Sequence, residues 1–148
     1  MHYTEAPAMP IEDLARTDVV SATPETPVPE LARRMRDEKV GSIVITNDNH
    51  LAGIVTDRDL ATRVLADETA STDQTATDVM STNLCVVGPD AGFYEAAKTM
   101  SENGVRRLPI CDENDEPVGI ITADDLTELL ADENQLLASI IQAQRPEY

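Results

Sequence analysis

Two Thr-x-x-Asp elements, Thr56 to Asp59 and Thr122 to Asp125, carry the side chains of this chain that are best suited to hold a sugar phosphate. A carboxylate has two acceptor oxygens and can take charge-assisted hydrogen bonds from both neighbouring hydroxyls of a ribose. A threonine hydroxyl beside the unpaired backbone N–H groups of a helix start favours a phosphate oxygen. The spacing places both side chains together, so each element is a candidate binding site.

The same spacing also has a purely structural interpretation. A threonine followed three residues later by an acid, just before an apolar helix, is typical of a capping box, in which the acid accepts the backbone N–H of the threonine. The motif alone favours neither capping nor ligand binding, and both interpretations stay open.

Arg106 and Arg107 stand out in a chain with 11 basic residues, 28 acidic residues and a formal net charge of −17. A guanidinium fork neutralises phosphate well, although pairing with surface carboxylates is the alternative interpretation. Alternation along a strand predicts that only one of the two points into a given cleft. The overall acidity would repel nucleic acid and is typical of a halophilic protein surface.

An internal duplication organises the chain. A shift of 65 positions places Asp13 on Asp78 and Pro24 on Pro89. After one extra residue in the second turn the shift becomes 66, and GIVTDRDL falls on GIITADDL. A single copy would expose an apolar sheet face, so we expect the two copies to pack through their sheets around a shared core.

Each copy predicts the order β-α-β-β-α, and hence an α/β (α+β) fold of two pseudo-symmetric repeats. Short strands are expected at 19–21 and 84–87, followed by helices with one-sided apolar stripes. Hairpins are expected around the turn residues 47–50 and 112–116. The last helix of each copy opens at its Thr-x-x-Asp element.

The copies close with Gly53-Ile54-Val55-Thr56 plus Asp59 and with Gly119-Ile120-Ile121-Thr122 plus Asp125. This motif and the order of elements resemble the cystathionine β-synthase (CBS) domain, and two copies resemble the paired unit called a Bateman module. The resemblance implies a stand-alone pair that binds AMP, ADP, ATP or S-adenosylmethionine between its repeats. Its expected parts are an N-terminal extension (1–10), CBS repeat 1 (11–66), a linker (67–76), CBS repeat 2 (77–131) and a C-terminal helical extension (132–148).

The resemblance also implies which residues line the two clefts between the repeats. In the main cleft the two arginines face the first Thr-x-x-Asp element and apolar side chains lie against the adenine. Its residues are Ile54, Thr56, Arg58, Asp59, Leu84, Cys85, Val105, Arg106, Arg107 and Pro109. The second cleft has no arginine at the matching places and is expected to be empty or weaker. Its residues are Val19, Val20, Val40, Gly41, Ser42, Ile120, Thr122 and Asp125.

These features predict a regulatory protein without catalytic activity, required cofactor or metal. The sequence contains no Ser-His-Asp or Cys-His grouping, Walker loop or metal-binding histidine pair, and Cys85 and Cys111 are expected to be small buried residues. No segment has the roughly 20 apolar residues of a spanning helix, so the expected location is the cytoplasm.

The expected partners are a small nucleotide ligand, an unknown regulated protein and a second copy of the chain. A C-terminal apolar stripe needs a surface to cover, which favours a homodimer. It consists of Leu129, Leu130, Leu136, Leu137, Ile140 and Ile141. The alternative function is a ligand-free assembly adaptor, in which the Thr-x-x-Asp elements only cap helices.

Overall fold

The computed structural model describes residue 11 and residues 15–67 and 73–143. The elements up to the linker are β1 (Ser21–Ala22), α1 (Val28–Glu38), β2 (Ser42–Asn47), β3 (His50–Thr56) and α2 (Asp57–Asp59), which continues as a π-helical segment (Leu60–Leu65). Those after it are α3 (Ala76–Val79), α4 (Phe93–Asn103), β4 (Arg107–Cys111), β5 (Pro117–Thr122) and α5 (Ala123–Ala143). The expected N-terminal extension and residues 144–148 lie outside the described residues.

Both predicted hairpins are confirmed. β2 pairs antiparallel with β3, and β4 pairs antiparallel with β5, while β1 runs parallel to β2. In the first turn Asp48 and Asn49 adopt φ of 51° and 66°, a conformation that residues with short polar side chains tolerate. In the second turn the Asp112 carboxylate accepts the N–H groups of Asn114 and Glu116 at 2.9 and 3.0 Å. Local turn chemistry therefore fixes both hairpins.

Three expected elements differ from the structure. The strand expected at 84–87 is reduced to one parallel bridge between Val87 and Ile110. The last helix of the first repeat changes to π-helical hydrogen bonding after Asp59, with the Ala66 N–H donating to Ala61 O five residues earlier at 3.0 Å. The strand expected at 19–21 is observed at Ser21–Ala22. The expected C-terminal helical extension is a continuation of α5, which runs without a break from Ala123 to Ala143.

Most buried apolar residues form two clusters rather than the one shared core that was expected, and four are buried outside both clusters: Val44, Ile54, Cys111 and Ile120. The first cluster is built around α1, β2 and β3, with Leu31, Ile43 and Val55 fully buried. The second is built around α4, β4 and β5, with Leu108 and Ile121 fully buried. The sheets of the two repeats each cover their own helices, which gives each repeat its own interior.

Exchanged leading segments join these two interiors. We call Ile11 with residues 15–18 the first leading segment and residues 76–83 the second. Ile11 is buried in the second cluster, and its N–H donates to Ala91 O at 3.0 Å. The equivalent residue Ala76 is buried in the first cluster, and its N–H donates to Thr26 O at 2.9 Å. Each repeat therefore completes its core with the beginning of the other.

The leading segments also add to the edge of the other repeat's hairpin. Arg16 exchanges two backbone hydrogen bonds of 3.1 Å with Ile120 in β5. At the equivalent position Ser81 exchanges bonds of 3.1 and 2.9 Å with Ile54 in β3. These bridges lead the chain past the Thr-x-x-Asp element of the opposite repeat. Over the described ranges, no helix combines the length and the apolar character needed to cross a membrane.

Candidate functional site

The main cleft is a cavity of about 380 Å³ between the repeats, within the size range of small-molecule sites. The structure brings all ten residues expected there to its walls. Three further lining residues were missed by sequence reasoning: Ser81, Asn83 and Gly104. Ser81 and Asn83 belong to the second leading segment, whose pairing with β3 no local pattern in the sequence reveals.

The second cleft has a volume of about 250 Å³, just below that range. All eight residues expected there line it. The residues missed by sequence reasoning are Arg16, Asp18, Lys39, Val44, Arg107 and Asp124. Two of them, Val44 and Asp124, could have been found with the duplication, because they are equivalent to Pro109 and Arg58 of the main cleft. Arg16, Asp18 and Lys39 are equivalent to the residues that were missed there as well.

The Thr-x-x-Asp elements form capping boxes in both repeats. In the main cleft the Thr56 N–H donates to Asp59 Oδ2 at 2.9 Å, and the Asp59 N–H donates to Thr56 Oγ1 at 3.1 Å. The corresponding distances for Thr122 and Asp125 are 2.9 and 3.2 Å. Capping uses one carboxylate oxygen, and a carboxylate offers about four lone-pair sites, so acceptor capacity remains for a ligand.

Asp59 has a neighbour that its counterpart lacks. Arg63 Nε lies 3.7 Å from Asp59 Oδ1, and Arg63 Nη1 donates to Val79 O at 3.3 Å. The carboxylate is only 14% exposed. The position equivalent to Arg63 in the second repeat is Leu129. Arg63 therefore links the second oxygen of Asp59 to the end of α3 in the second leading segment.

Arg106 and Arg107 both line the main cleft, and β4 begins at Arg107, which leaves Arg106 outside the strand. Arg106 is 77% exposed and lies 3.6 Å from the equally exposed Asp124, a pair that contributes little to stability. Arg107 is half-buried. Of the two, Arg107 is the better placed to act in a shielded site.

Gly41 and Ser42 occupy the positions of the second cleft that are equivalent to the arginine pair, as expected. Arginines line this cleft from other positions, because Arg16 enters through the first leading segment and Arg107 reaches across from the second repeat. Three basic side chains, with Lys39, thus face three acidic ones, Asp18, Asp124 and Asp125. The charges of the second cleft balance.

The main cleft has the opposite balance. Arg58, Arg106 and Arg107 line it against the single carboxylate of Asp59. Position 58 illustrates the difference, because its equivalent in the second cleft is Asp124. In a chain with a net charge of −17, this cavity concentrates positive charge, which favours an anionic ligand.

The two cysteines lie in different environments. Cys111 is buried as expected, and burial, followed by the nearby charges of Asp115 and Asp112, raises the pKa of its thiol to about 11. Cys85 is only half-buried and lines the main cleft, so its expected full burial was wrong. Across residues 15–67 and 73–143, no three His, Cys, Asp or Glu side chains are grouped in a way that could hold a metal ion.

Comparison with known proteins identifies the architecture. The family model for the CBS domain matches residues 11–66 and 76–132. An uncharacterised protein of Methanopyrus kandleri is 36% identical over 88% of this chain, which spans 65% of that protein. The CBS domain-containing protein YhcV of Bacillus subtilis is 34% identical over 78% of this chain and 81% of its own length.

A solved structure has the same fold. The CBS domain pair of protein MJ0100, in complex with 5'-methylthioadenosine and S-adenosyl-L-methionine, superposes with a TM-score of 0.78. The match covers 86% of this chain and 99% of that one, at 23% identity. CBS domain pairs are generally regulatory, non-catalytic modules. The chain belongs to the CBS domain family and carries two CBS domains as a tandem regulatory pair.

Proposed function

We propose that this CBS pair is a sensor that binds an adenine nucleotide or a related adenosyl ligand in the main cleft. The candidates are AMP, ADP, ATP and S-adenosylmethionine. The observation that carries the proposal is one cavity that is lined by a shielded carboxylate, a helix start and three arginines. Asp59 binds the ribose hydroxyls, and the start of α2 with Thr56 faces the phosphate of a nucleotide or the carboxylate of S-adenosylmethionine. The arginines neutralise that anionic group.

The apolar wall of the main cleft supports the proposal that the adenine ring of the ligand binds there. Ile54, Leu84, Cys85, Val105 and Pro109 line the same cavity as the polar groups. A flat adenine ring placed against these side chains leaves water and gains dispersion contacts. The complex of the MJ0100 pair with two adenosyl compounds supports this class of ligand.

The second cleft is proposed as a weaker site of the same kind. It is smaller, and its three basic side chains are offset by three acidic ones. A phosphate there gains less net attraction than in the main cleft. This balance, rather than a lack of arginine, is the physical reason for unequal affinity.

The proposed output is a change in the relative placement of the two repeats, which a separate protein reads. The main cleft has walls from both repeats, so a ligand that contacts both walls favours the arrangement in which they are closest. The size of this shift cannot exceed the difference in ligand affinity between the two arrangements. We propose no catalytic activity, because no histidine lines the described main cleft and no base accompanies Cys85.

A thermal-shift screen with AMP, ADP, ATP and S-adenosylmethionine at fixed salt tests the proposal. A ligand that binds the folded chain raises the melting temperature, and the rise grows with the logarithm of the ratio of ligand concentration to Kd. The double variant Arg58→Ser and Arg107→Ser should lose most of the nucleotide-induced rise. Adenosine, which lacks the phosphate, should raise the melting temperatures of the wild type and the variant by equally small amounts. No rise with any of the four compounds would contradict the sensor function.

A ligand-free adaptor is the second candidate, and one observation favours it. Leu136, Leu137, Ile140 and Ile141 are 54% to 69% exposed on α5 and form an apolar face that a second protein can cover. We propose a second copy of this chain as the occupant, because a self-complementary helix face fits a two-fold dimer. The adaptor and the sensor share this dimer, and only the sensor requires the ligand.

A further inference from the structure

The two clefts are equivalent residue by residue, with one exception. Thirteen residues line the main cleft, and each has a counterpart 65 or 66 positions away that lines the second cleft. The second cleft has a fourteenth lining residue, Arg107, which already lines the main cleft. Among the residues that the structure describes, Arg107 is the one shared by both cavities.

The length of the side chain explains this exception. The counterpart of Arg107 is Ser42, which lines only the second cleft. Arg107 Nη2 lies 3.1 Å from the point that a Cβ of Gly41 would occupy, and Asp57 Oδ2 lies 3.4 Å from the same point. The missing side chain at Gly41 thus makes room for the guanidinium in the second cleft.

No side-chain partner among the described residues anchors the Arg107 guanidinium. Within the described part of the chain it takes part in no ion pair and no side-chain hydrogen bond, whereas Arg63 and Arg106 each have a carboxylate partner. Its backbone is fixed in β4 opposite Thr122, so only the side chain can change position. A half-buried guanidinium without a partner is attracted to whichever cleft contains an anion.

We propose that Arg107 makes the two clefts antagonistic toward anionic ligands. A phosphate in the main cleft draws the guanidinium away from Gly41, and the second cleft is left with Arg16 and Lys39 against three carboxylates. An anion in the second cleft holds the guanidinium there and weakens the main cleft to the same extent, since coupling between two sites is reciprocal. This inference rests on the proposed binding of nucleotides.

Two matched variants isolate the clefts for the test. Val19 and Leu84 are equivalent, half-buried and outside both buried clusters, and each lines one cleft. Val19→Trp fills the second cleft and Leu84→Trp fills the main cleft, without touching a capping box. Val19→Phe and Leu84→Phe provide a second, smaller pair. AMP binding is measured by calorimetry at one salt concentration for both variants and the wild type.

Independent clefts predict a wild-type isotherm equal to the sum of the two single-cleft isotherms. Antagonism predicts that the second wild-type binding step is roughly tenfold weaker than the matching single-cleft affinity. Arg107→Ser, combined with each tryptophan variant, should restore additivity.

Three results would overturn the antagonism: an additive wild-type isotherm, a deviation that persists in Arg107→Ser, or no AMP binding to the Leu84→Trp protein. Absence of binding of AMP, ADP, ATP and S-adenosylmethionine to the Val19→Trp protein would overturn the proposed sensor function as well. The two failures are therefore distinguishable.

Discussion

Removing the carboxylate of Asp59 separates its capping role from its proposed ligand contact. A third Thr-x-x-Asp element provides the control, because the Thr75 N–H donates to Asp78 Oδ2 at 2.9 Å, the same distance as for Thr56 and Asp59. Asp78 is exposed and lines neither cleft. The variants Asp59→Ala and Asp78→Ala therefore lose the same type of cap, and only the first loses a cleft residue.

Without ligand, Asp59→Ala should unfold at a slightly lower temperature than Asp78→Ala, because it also loses the ion pair with Arg63. Loss of such a cap costs about 1 kcal/mol, or roughly 3 °C for a chain of this size. Nucleotide at a hundred times its Kd stabilises the wild type by about 2.7 kcal/mol, or roughly 8 °C. Loss of charge-assisted bonds to the ribose weakens binding by roughly 10-fold to 100-fold, which leaves a gain of about 0.4–1.4 kcal/mol.

The assay is the melting temperature of both variants with and without the same nucleotide concentration. Asp78→Ala should keep the full ligand-induced rise of about 8 °C, and Asp59→Ala should keep about 1–4 °C of it. A full rise in Asp59→Ala would show that this carboxylate only caps α2. Equal losses in both variants would refute the reasoning in another way, because the effect would then come from weakened helices rather than from the cleft.

Three further predictions concern other parts of the molecule. At pH 8 an alkylating reagent should modify Cys85 and spare native Cys111, whose pKa of about 11 leaves roughly one thiol in a thousand ionised. Bound AMP should slow the modification of Cys85, measured by mass spectrometry. Unchanged labelling of Cys85 in the presence of AMP would argue against a ligand beside it. Gly53→Ala should lower the free energy of unfolding in urea titrations by about 1–3 kcal/mol, because the new Cβ would lie 2.6 Å from Met80 Sδ. The control Gly88→Ala has open space around the new Cβ and should change the free energy of unfolding by less than about 0.5 kcal/mol. Leu136→Glu with Ile140→Glu should convert a dimer to a monomer in light scattering, and Leu65→Glu, also an exposed apolar position, should not; a wild-type chain that is already monomeric would remove the proposed interface.

The sequence was sufficient for features that depend on local pattern and on the duplication. Turn residues such as Asp48 and Asn49 identify the hairpins, and the one-sided apolar stripes identify α1 and α4. Because the two copies align, the closing motifs at Thr56 and Thr122 could be paired and assigned to equivalent clefts. The lining residues followed from the family resemblance once the two copies had been aligned.

The remaining features depend on contacts between residues distant in the chain. Nothing in the pattern around Ala76 shows that it completes the core of the preceding repeat, since an apolar residue is equally compatible with either interior. The reach of Arg107 into the second cleft depends on the empty space at Gly41, which alignment shows only as a substitution. The π-helical hydrogen bonds after Asp59 also have no sequence signal, because LATRVL has ordinary helix-forming residues.

The exchanged leading segments bear on how such a pair can arise from a single ancestral copy. One copy alone would have an unfilled place in its interior where Ala76 or Ile11 now lies, and an open hairpin edge where Ser81 or Arg16 now pairs. Two identical molecules could fill both places only by swapping their N-terminal segments. Fusion of two genes would then convert a swapped dimer into one covalent chain, and would let the two sides diverge, as Arg107 and Ser42 have done.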